Sequence, residues 1–226
     1  MRILLKCPTR NRREQCLTHL RKWVELAERP DQLGIALSCD VDDASMLNVS
    51  VEDLPSVAWR AVYRSENRTK IQACNADMNR IDWPWEIVIL VSDDMVPQVR
   101  GYDDAIRRAL PSSDGVVWVN DGIQGHALNT LNIFGRKRYE SWGYLYHPDY
   151  KSFFCDNEVT DWCREHPKQC QYIPEVLVRH IHPLNGSAPM DALYEKNAPY
   201  LKEDERTYLS RKVRRNLGFL NLLSRR

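Results

Sequence analysis

Long apolar runs are missing from this sequence. No stretch approaches the roughly 20 apolar residues that a membrane-spanning helix needs. The run Ile3-Leu4-Leu5 is much shorter than the roughly 7–15 apolar residues of a signal-peptide core. These absences predict an intracellular, cytoplasmic protein.

Cysteine motifs and a strong net charge are also absent. The seven cysteines are odd in number, and Cys155, Cys163 and Cys170 lack the CxxC spacing of zinc and redox sites. We therefore expect reduced thiols in or near the core. A formal net charge of +1 requires no polyanionic partner. No repeat or low-complexity linker interrupts the 226 residues, a length that suits one sizeable core.

Short apolar runs alternate with amphipathic stretches in the first half of the chain. The runs predict strands at 2–7, 34–39, 57–62, 86–91 and 115–119. The amphipathic stretches predict a helix over 12–28, a second helix with Ile71, Cys74, Met78 and Ile81 on one face, and a third over 101–110. This alternation predicts an α/β fold with a mainly parallel sheet.

The second half is less regular. We expect a short apolar run at 131–134, an aromatic-rich loop at 142–154, a helix from Asp156 and a strand near 176–181. The prediction for domain organisation is one domain over 1–200 followed by a basic helical tail over 201–226.

Polar side chains follow four of the predicted strands. Ligands of open α/β sheets bind beyond the carboxyl ends of the strands, so four polar ends indicate a site. The side chains concerned are Thr9, Arg10 and Arg12; Asp40 and Asp42; Asn67 and Lys70; and Asp93 and Asp94.

Asp93 and Asp94 directly follow the most hydrophobic strand. Two adjacent carboxylates repel each other, which raises one pKa or calls for a cation. Mg²⁺ or Mn²⁺ bridging to pyrophosphate oxygens would relieve that repulsion. The alternative is one Asp capping the next turn while the other is solvated.

Asp40 and Asp42 belong to a second acidic cluster. An acid at the end of the second strand of a nucleotide fold usually accepts hydrogen bonds from a base or ribose; a solvated acidic turn is the alternative. Arg10, Arg12 and Lys70 are cations that could neutralise a pyrophosphate.

Two later motifs add candidate residues. Asp156 and Glu158 follow an aromatic pair at a predicted helix start, where a carboxylate can act as a general base or as a helix cap. His180 and His182 point the same way on a strand, and we favour His182 as a metal or diphosphate ligand.

The order of these motifs resembles that of GT-A-fold glycosyltransferases of the family 2 type. The matching segments are PTRNR (8–12), the acidic loop 40–43, NRTKIQACN (67–75), SDDM (92–95), FxDNE (154–158) and HxHP (180–183). In that family an acidic triplet after the central strand binds the divalent cation, and here the triplet begins with Ser92 rather than Asp. The Gly-rich turn that is common after the third strand is absent, and Asn67-Arg68-Thr69 stands there. The small size of the chain resembles that of a minimal, phage-type member without accessory domains.

The resemblance implies a Rossmann-like GT-A domain and a nucleotide-sugar donor, with a UDP-sugar favoured. It implies Asp94 as the chief ligand of Mn²⁺ or Mg²⁺ and Asp40 as a contact of the base. It also implies Asp156 as the base of an inverting transfer, with Glu158 in reserve. The other residues expected to bind the nucleotide sugar are Thr9, Arg10, Arg12, Asp42, Asn67, Lys70 and Asp93.

The acceptor and two rival functions stay open. Trp142, Tyr144, Tyr146 and Tyr150 can stack on sugars or on nucleobases. The basic tail fits a nucleic-acid acceptor, an anionic membrane carrying a lipid-linked sugar, or simple packing on the core. A glycan acceptor is equally open. The rivals are a nucleotidyltransferase, which would normally have a Gly-rich loop after the first strand, and a non-catalytic nucleic-acid-binding module.

Overall fold

A seven-stranded sheet lies at the centre of the protein, in a computed structural model that describes residues 1–181, 186 and 192–223. In spatial order its strands are β3 (Trp59–Ser65), β2 (Leu33–Asp40), β1 (Ile3–Thr9), β4 (Ile87–Leu90), β7 (Ile133–Gly135), β6 (Val116–Val119) and β8 (Cys170–Ile173). A separate antiparallel pair joins β5 (Met95–Pro97) to β9 (Val178–His180).

The sheet is mixed and mainly parallel, as the sequence predicted. β1 pairs in parallel with β2 and β4, β2 with β3, and β6 with β8. The exception is β7, which runs antiparallel to both of its neighbours. Since β1, β2 and β4 run in the same direction, their carboxyl ends open on one edge of the sheet.

Helices cover both faces of the sheet. They are α1 (Arg13–Glu25), α2 (Lys70–Asn75), α3 (Tyr102–Ala109), α4 (Arg136–Trp142), α5 (Cys155–Glu165), α6 (Ala192–Asn197) and α7 (Leu201–Leu223). Alternate residues of β1 and β4 point to opposite faces, so Leu5 and Ile89 enter one apolar core and Leu4 and Val88 the other. Every residue of β4 is buried, as expected for a strand covered on both faces.

Two predicted helices are shorter than the sequence pattern suggested. α1 ends at Glu25, and α2 ends at Asn75. The chain leaves α2 at Ala76, where ψ is 151°, and Asp77 then adopts a left-handed conformation with φ 65°. Met78 is still buried, but in a separate 3₁₀ turn.

The basic C-terminal helix packs against α5. On α7, Tyr208 donates to Asp161 at 2.7 Å and Lys212 lies 2.9 Å from the same carboxylate. Arg211 forms two hydrogen bonds with Glu158, each of 2.8 Å. Much of the basic charge on this part of α7 is therefore balanced within the molecule.

None of the described helices combines the length and apolarity needed to cross a membrane.

Candidate active site

One cavity, of about 200 Å³, opens at the carboxyl ends of β1, β2 and β4. Eight of the predicted site residues line it: Thr9, Arg10, Arg12, Asp40, Asn67, Lys70, Asp93 and Asp94. Asp156 also lines it, at the start of α5. Residues that are far apart in the sequence thus meet because parallel strands end on the same edge.

Asp93 is held on both carboxylate oxygens by residues that follow β1. Thr9 donates to Oδ2 at 2.9 Å, and Arg12 donates to Oδ1 at 2.7 Å. Burial and the charge of Asp94 raise the pKa of Asp93 to about 6, against the opposing effect of Arg12. Its contacts fix the turn at the end of β4 and make it a weak candidate for direct ligand binding.

Asp94, which directly precedes β5, faces His180 at the end of β9. Its Oδ2 lies 3.6 Å from Nε2 of His180, and the other ring nitrogen lies 3.6 Å from Oδ2 of Asp121. Burial opposes the charge on Asp94, but hydrogen bonding to His180 outweighs it and lowers the Asp94 pKa. Asp94 therefore keeps its negative charge to a lower pH than Asp93 does.

Asp121 was not singled out from the sequence, although it is almost fully buried beside the cavity. Its Oδ1 accepts hydrogen bonds from the backbone of Ile123 at 2.9 Å and Gln124 at 2.7 Å. Burial opposes its charge, yet these bonds and that of His180 lower its pKa. Two carboxylates thus raise the pKa of His180 to about 9, although burial lowers it.

The donor set fits a divalent cation that arrives with a diphosphate. Among the described residues, no group of three or more His, Cys, Asp or Glu side chains could hold a metal ion. Mg²⁺ commonly needs only one or two protein carboxylates when phosphate oxygens and water complete its shell. Asp94 supplies one buried, ionised carboxylate at the cavity wall. His182, the second predicted ligand, lies outside the described residues.

Asp40 has both carboxylate oxygens engaged by its neighbours. Arg10 donates to Oδ2 at 2.6 Å, and Asn67 donates to Oδ1 at 2.9 Å. Arg10 also binds Asp42 through two hydrogen bonds of 2.6 and 2.8 Å. Asp42 is exposed and does not line the cavity. The structure therefore places Asp40, Arg10 and Asn67 as one polar group on the cavity wall, with Asp42 outside it.

Lys70 stands at the start of α2, directly after the cap Thr69, whose hydroxyl accepts from the backbone of Gln72. Its side chain is exposed and lines the cavity. Desolvation would lower the pKa of Lys70, but its neighbours, Asp94 and Asp156 among them, raise it. Lys70 is thus a cation beside two acidic side chains of the cavity.

Asp156 and Glu158 lie in different surroundings although only one residue separates them. Loss of solvation raises the pKa of Asp156, against the charge of Lys70. Glu158 does not line the cavity; Arg211 and Tyr150 bind its carboxylate, the latter at 2.5 Å. The geometry therefore favours Asp156 over Glu158 as a group that reaches a ligand.

Other residues of the cavity carried no clear sequence signal. Lys196 and Asn197 reach the cavity from α6, and Thr130 from the loop after β6. Tyr146 also lines it, whereas Trp142, Tyr144 and Tyr150 do not. These positions depend on how α6 and the loops fold back over the sheet edge, which no local motif reports.

No protein-family model matches this chain, and no curated protein matches it. Solved structures do. One is the mannosyltransferase PcManGT from Pyrobaculum calidifontis, in complex with GDP-Man and Mn²⁺, with 16% identity and a TM-score of 0.67. This chain is covered over 94% of its length and spans 64% of that one.

Two further structures are similar. TarS from S. aureus has 12% identity and a TM-score of 0.58, covering 80% of this chain and 36% of its own. The catalytic domain of Drosophila beta1,4-galactosyltransferase 7, solved with xylobiose, has 14% identity and a TM-score of 0.52, covering 86% of this chain and 78% of its own. At these identities the likeness establishes the fold: the chain has the GT-A fold that the motif order predicted.

Proposed function

We propose that this protein is a glycosyltransferase that moves a sugar from a nucleoside diphosphate sugar to an acceptor hydroxyl, with inversion at the anomeric carbon. The observation that carries the proposal is a single cavity that holds Asp94 and Asp156. The pKa of Asp94 is lowered and that of Asp156 is raised. Paired carboxylates with pKa values moved apart are typical of sites in which one stays ionised and the other exchanges a proton.

Asp94 and Lys70 form the side of the cavity that receives the diphosphate. Asp94 would hold Mn²⁺ or Mg²⁺, and a bound cation supplies charge neutralisation for the departing diphosphate. Lys70 adds a protein cation next to it. Asp40, Arg10 and Asn67 lie at the neighbouring strand ends and would contact the nucleoside.

Thr9, Arg12 and Asp93 also line the cavity, but their side chains bind one another. Since Thr9 and Arg12 occupy both oxygens of Asp93, the three side chains keep the turn that presents Asp94 in place. Asp42 holds Arg10 from outside the cavity. Thr9, Arg12, Asp93 and Asp42 would therefore act on donor binding indirectly, by holding the residues that contact the donor.

Asp156 would take the proton from the acceptor hydroxyl. A base needs a pKa raised toward the working pH, and loss of solvation raises that of Asp156. As Asp156 takes the proton, the acceptor oxygen would form a bond to the anomeric carbon while the bond from that carbon to the diphosphate breaks, and the diphosphate would leave on the Asp94 side, in a single displacement. Tyr146 offers an aromatic surface in the same cavity on which an acceptor ring could stack.

The comparisons support the donor class. The neighbouring mannosyltransferase is solved with GDP-Man and Mn²⁺, and a variant of the galactosyltransferase with manganese, UDP-Gal and xylobiose. We favour a UDP-sugar for this chain and include GDP-sugars in its test.

Release of nucleoside diphosphate from UDP- and GDP-sugars, with and without Mn²⁺, tests the proposal. We expect Mn²⁺-dependent turnover of one donor, and Asp94→Ala should lower it about 10²-fold or more, because cation binding supplies several kcal/mol. Asp82→Ala, which removes an exposed carboxylate outside the cavity, is the matched control. Turnover by Asp94→Ala at the wild-type rate would contradict the assignment.

A further inference from the structure

We propose that Asp204, on the C-terminal helix α7, is a positioning residue for the base Asp156. It acts by fixing the backbone of residues 151–153, which we call the base loop. The inference rests on the proposed function, because it assigns Asp204 a role in the same transfer reaction.

Three consecutive backbone amides converge on the Asp204 carboxylate. Lys151 donates its N–H to Oδ1 at 2.9 Å, and Ser152 and Phe153 donate theirs to Oδ2, each at 2.7 Å. Asp204 has no exposed surface. Successive amides around an anion form a concave, charge-assisted site, which holds the backbone more firmly than neutral hydrogen bonds do. A buried carboxylate bonded in this way determines the path of the loop.

The base loop contacts α2, which carries Lys70, and leads into α5, which carries Asp156. The carbonyl of Lys151 accepts a hydrogen bond from the backbone of Ile71 at 3.1 Å, in the first turn of α2 next to Lys70. The chain then passes Ser152 and Phe153, which line the cavity, and enters α5 one residue before Asp156.

The entry into α5 uses an uncommon backbone conformation. Phe154 has φ 61°, in the left-handed region that bulky residues rarely adopt. Its ring stacks on Tyr208 of α7, with 5.7 Å between ring centroids. α7 therefore contacts this turn twice: Asp204 binds the residues before it, and Tyr208 stacks on Phe154 itself.

Helix α7 also binds a carboxylate further along α5, that of Glu158. Arg211 binds Glu158 with two hydrogen bonds. This contact fixes the body of α5, while Asp204 fixes the loop before it. Because Asp204 binds three successive backbone amides of the loop that leads into α5, its loss should displace Asp156.

The test compares Asp204→Asn with Glu203→Gln. Glu203 is the adjacent residue on α7 and pairs with the exposed side chain of Lys151, not with the loop backbone. In Asp204→Asn an amide nitrogen replaces one acceptor oxygen, so at least one loop N–H loses its partner. We expect kcat for transfer to fall between about tenfold and a hundredfold, because small displacements of a reacting group have effects of that size. The donor KM should stay within about twofold, since Asp204 acts on the acceptor side.

Hydrogen exchange of the amides of residues 151–153 is measured on the same proteins. It should be faster in Asp204→Asn and unchanged in Glu203→Gln. Unchanged exchange in Asp204→Asn overturns the inference, as does faster exchange with wild-type kcat. If Asp204→Asn does not fold, Asp204→Glu keeps the carboxylate but moves it by one methylene, and the same fall in kcat at constant donor KM is expected.

Failure of the proposed function gives a different result. In that case the wild-type protein turns over no nucleotide sugar, whereas the exchange measurement still decides whether Asp204 holds the base loop.

Discussion

Asp93 and Asp94 are adjacent and buried, yet their surroundings give them different roles. Thr9 and Arg12 bind both oxygens of Asp93, whereas Asp94 faces His180 and the cavity. The pKa of Asp93 is raised to about 6 and that of Asp94 is lowered. At the residue scale, the contacts of each carboxylate decide which of two neighbours is available to a ligand.

Asp156→Asn should retain donor binding and lose transfer. The amide keeps the size of the side chain but cannot accept the acceptor proton, so kcat should fall by about 10²–10⁴-fold. Donor binding is measured by thermal shift and transfer by product formation. Undiminished transfer would remove Asp156 from the role of base, and Glu165→Gln, at an exposed position of the same helix outside the cavity, is the control.

The same residue predicts the pH dependence of the reaction. The base must be deprotonated, and the pKa of Asp156 is raised by loss of solvation. Wild-type kcat/KM should therefore fall as the pH drops through a pKa above the usual value of about 3.9 for Asp. An acid limb at or below that ordinary value would contradict the assignment.

Lys70→Met should weaken donor binding. The change removes the cation next to Asp94 and keeps most of the aliphatic chain, so the donor KM should rise about tenfold, as expected for a lost charge-assisted hydrogen bond. Lys202→Met, at an exposed position of α7, serves as the control. Equal donor KM in the two variants would show that Lys70 does not contact the diphosphate.

The sequence identified the residues at strand ends better than those brought in from elsewhere. Asp40, Asp94 and Lys70 were found because each follows a strand or begins a helix, which local patterns report. Asp121 and Asp204 were missed, because their importance depends on backbone amides and a histidine that approach only after folding.

At the scale of elements, burial on both faces made strands predictable. β4 is a continuous apolar run, β1 and β2 contain shorter ones, and the structure buries nearly all residues of the three strands. β8 was missed because it has no such run and Gln171 in its middle is exposed. β5 has only three residues and pairs with β9 from the second half of the chain.

The contact between α5 and α7 predicts that substitution of two arginines of α7 will change the free energy of unfolding by different amounts. Arg211→Ala leaves the mostly buried Glu158 without its bidentate partner and should lower the free energy of unfolding by about 1–3 kcal/mol. Arg214 is exposed, so Arg214→Ala should change it by no more than about 0.5 kcal/mol. Denaturant unfolding measures both, and equal values would show that this contact contributes little.

The acid sensitivity of this contact follows from the pKa of Glu158. Burial alone would raise that pKa, but hydrogen bonds from Arg211 and Tyr150 lower it. The pKa of Glu158 is lower in the folded protein than its unfolded-state value of about 4.3, so the ionised carboxylate stabilises the fold above about pH 4.3. This stability is lost as the pH falls through the folded-state pKa. Between about pH 5 and pH 3, wild-type protein should therefore lose more stability than Arg211→Ala.

At the scale of the whole molecule, the sequence predicted the fold better than the contacts of the C-terminal helix. Strand–helix alternation predicted the mainly parallel sheet, and the motif order predicted the GT-A fold that the structural neighbours share. The tail over 201–226 was predicted as a separate region. In the described residues α7 contacts the base loop and α5, and the particular contacts could not be read from a basic sequence pattern.

The central claim is that Asp94 holds a divalent cation which binds the diphosphate of a donor. Thermal shift of wild-type protein and Asp94→Ala with UDP and GDP, each with and without Mn²⁺, tests it most directly. We predict that one nucleotide at about 100 times its Kd raises the wild-type Tm by roughly 5–10 °C only when Mn²⁺ is present. Asp94→Ala should show no such shift. An equal Mn²⁺-dependent shift in both proteins, or none in the wild type with either nucleotide, would contradict the account.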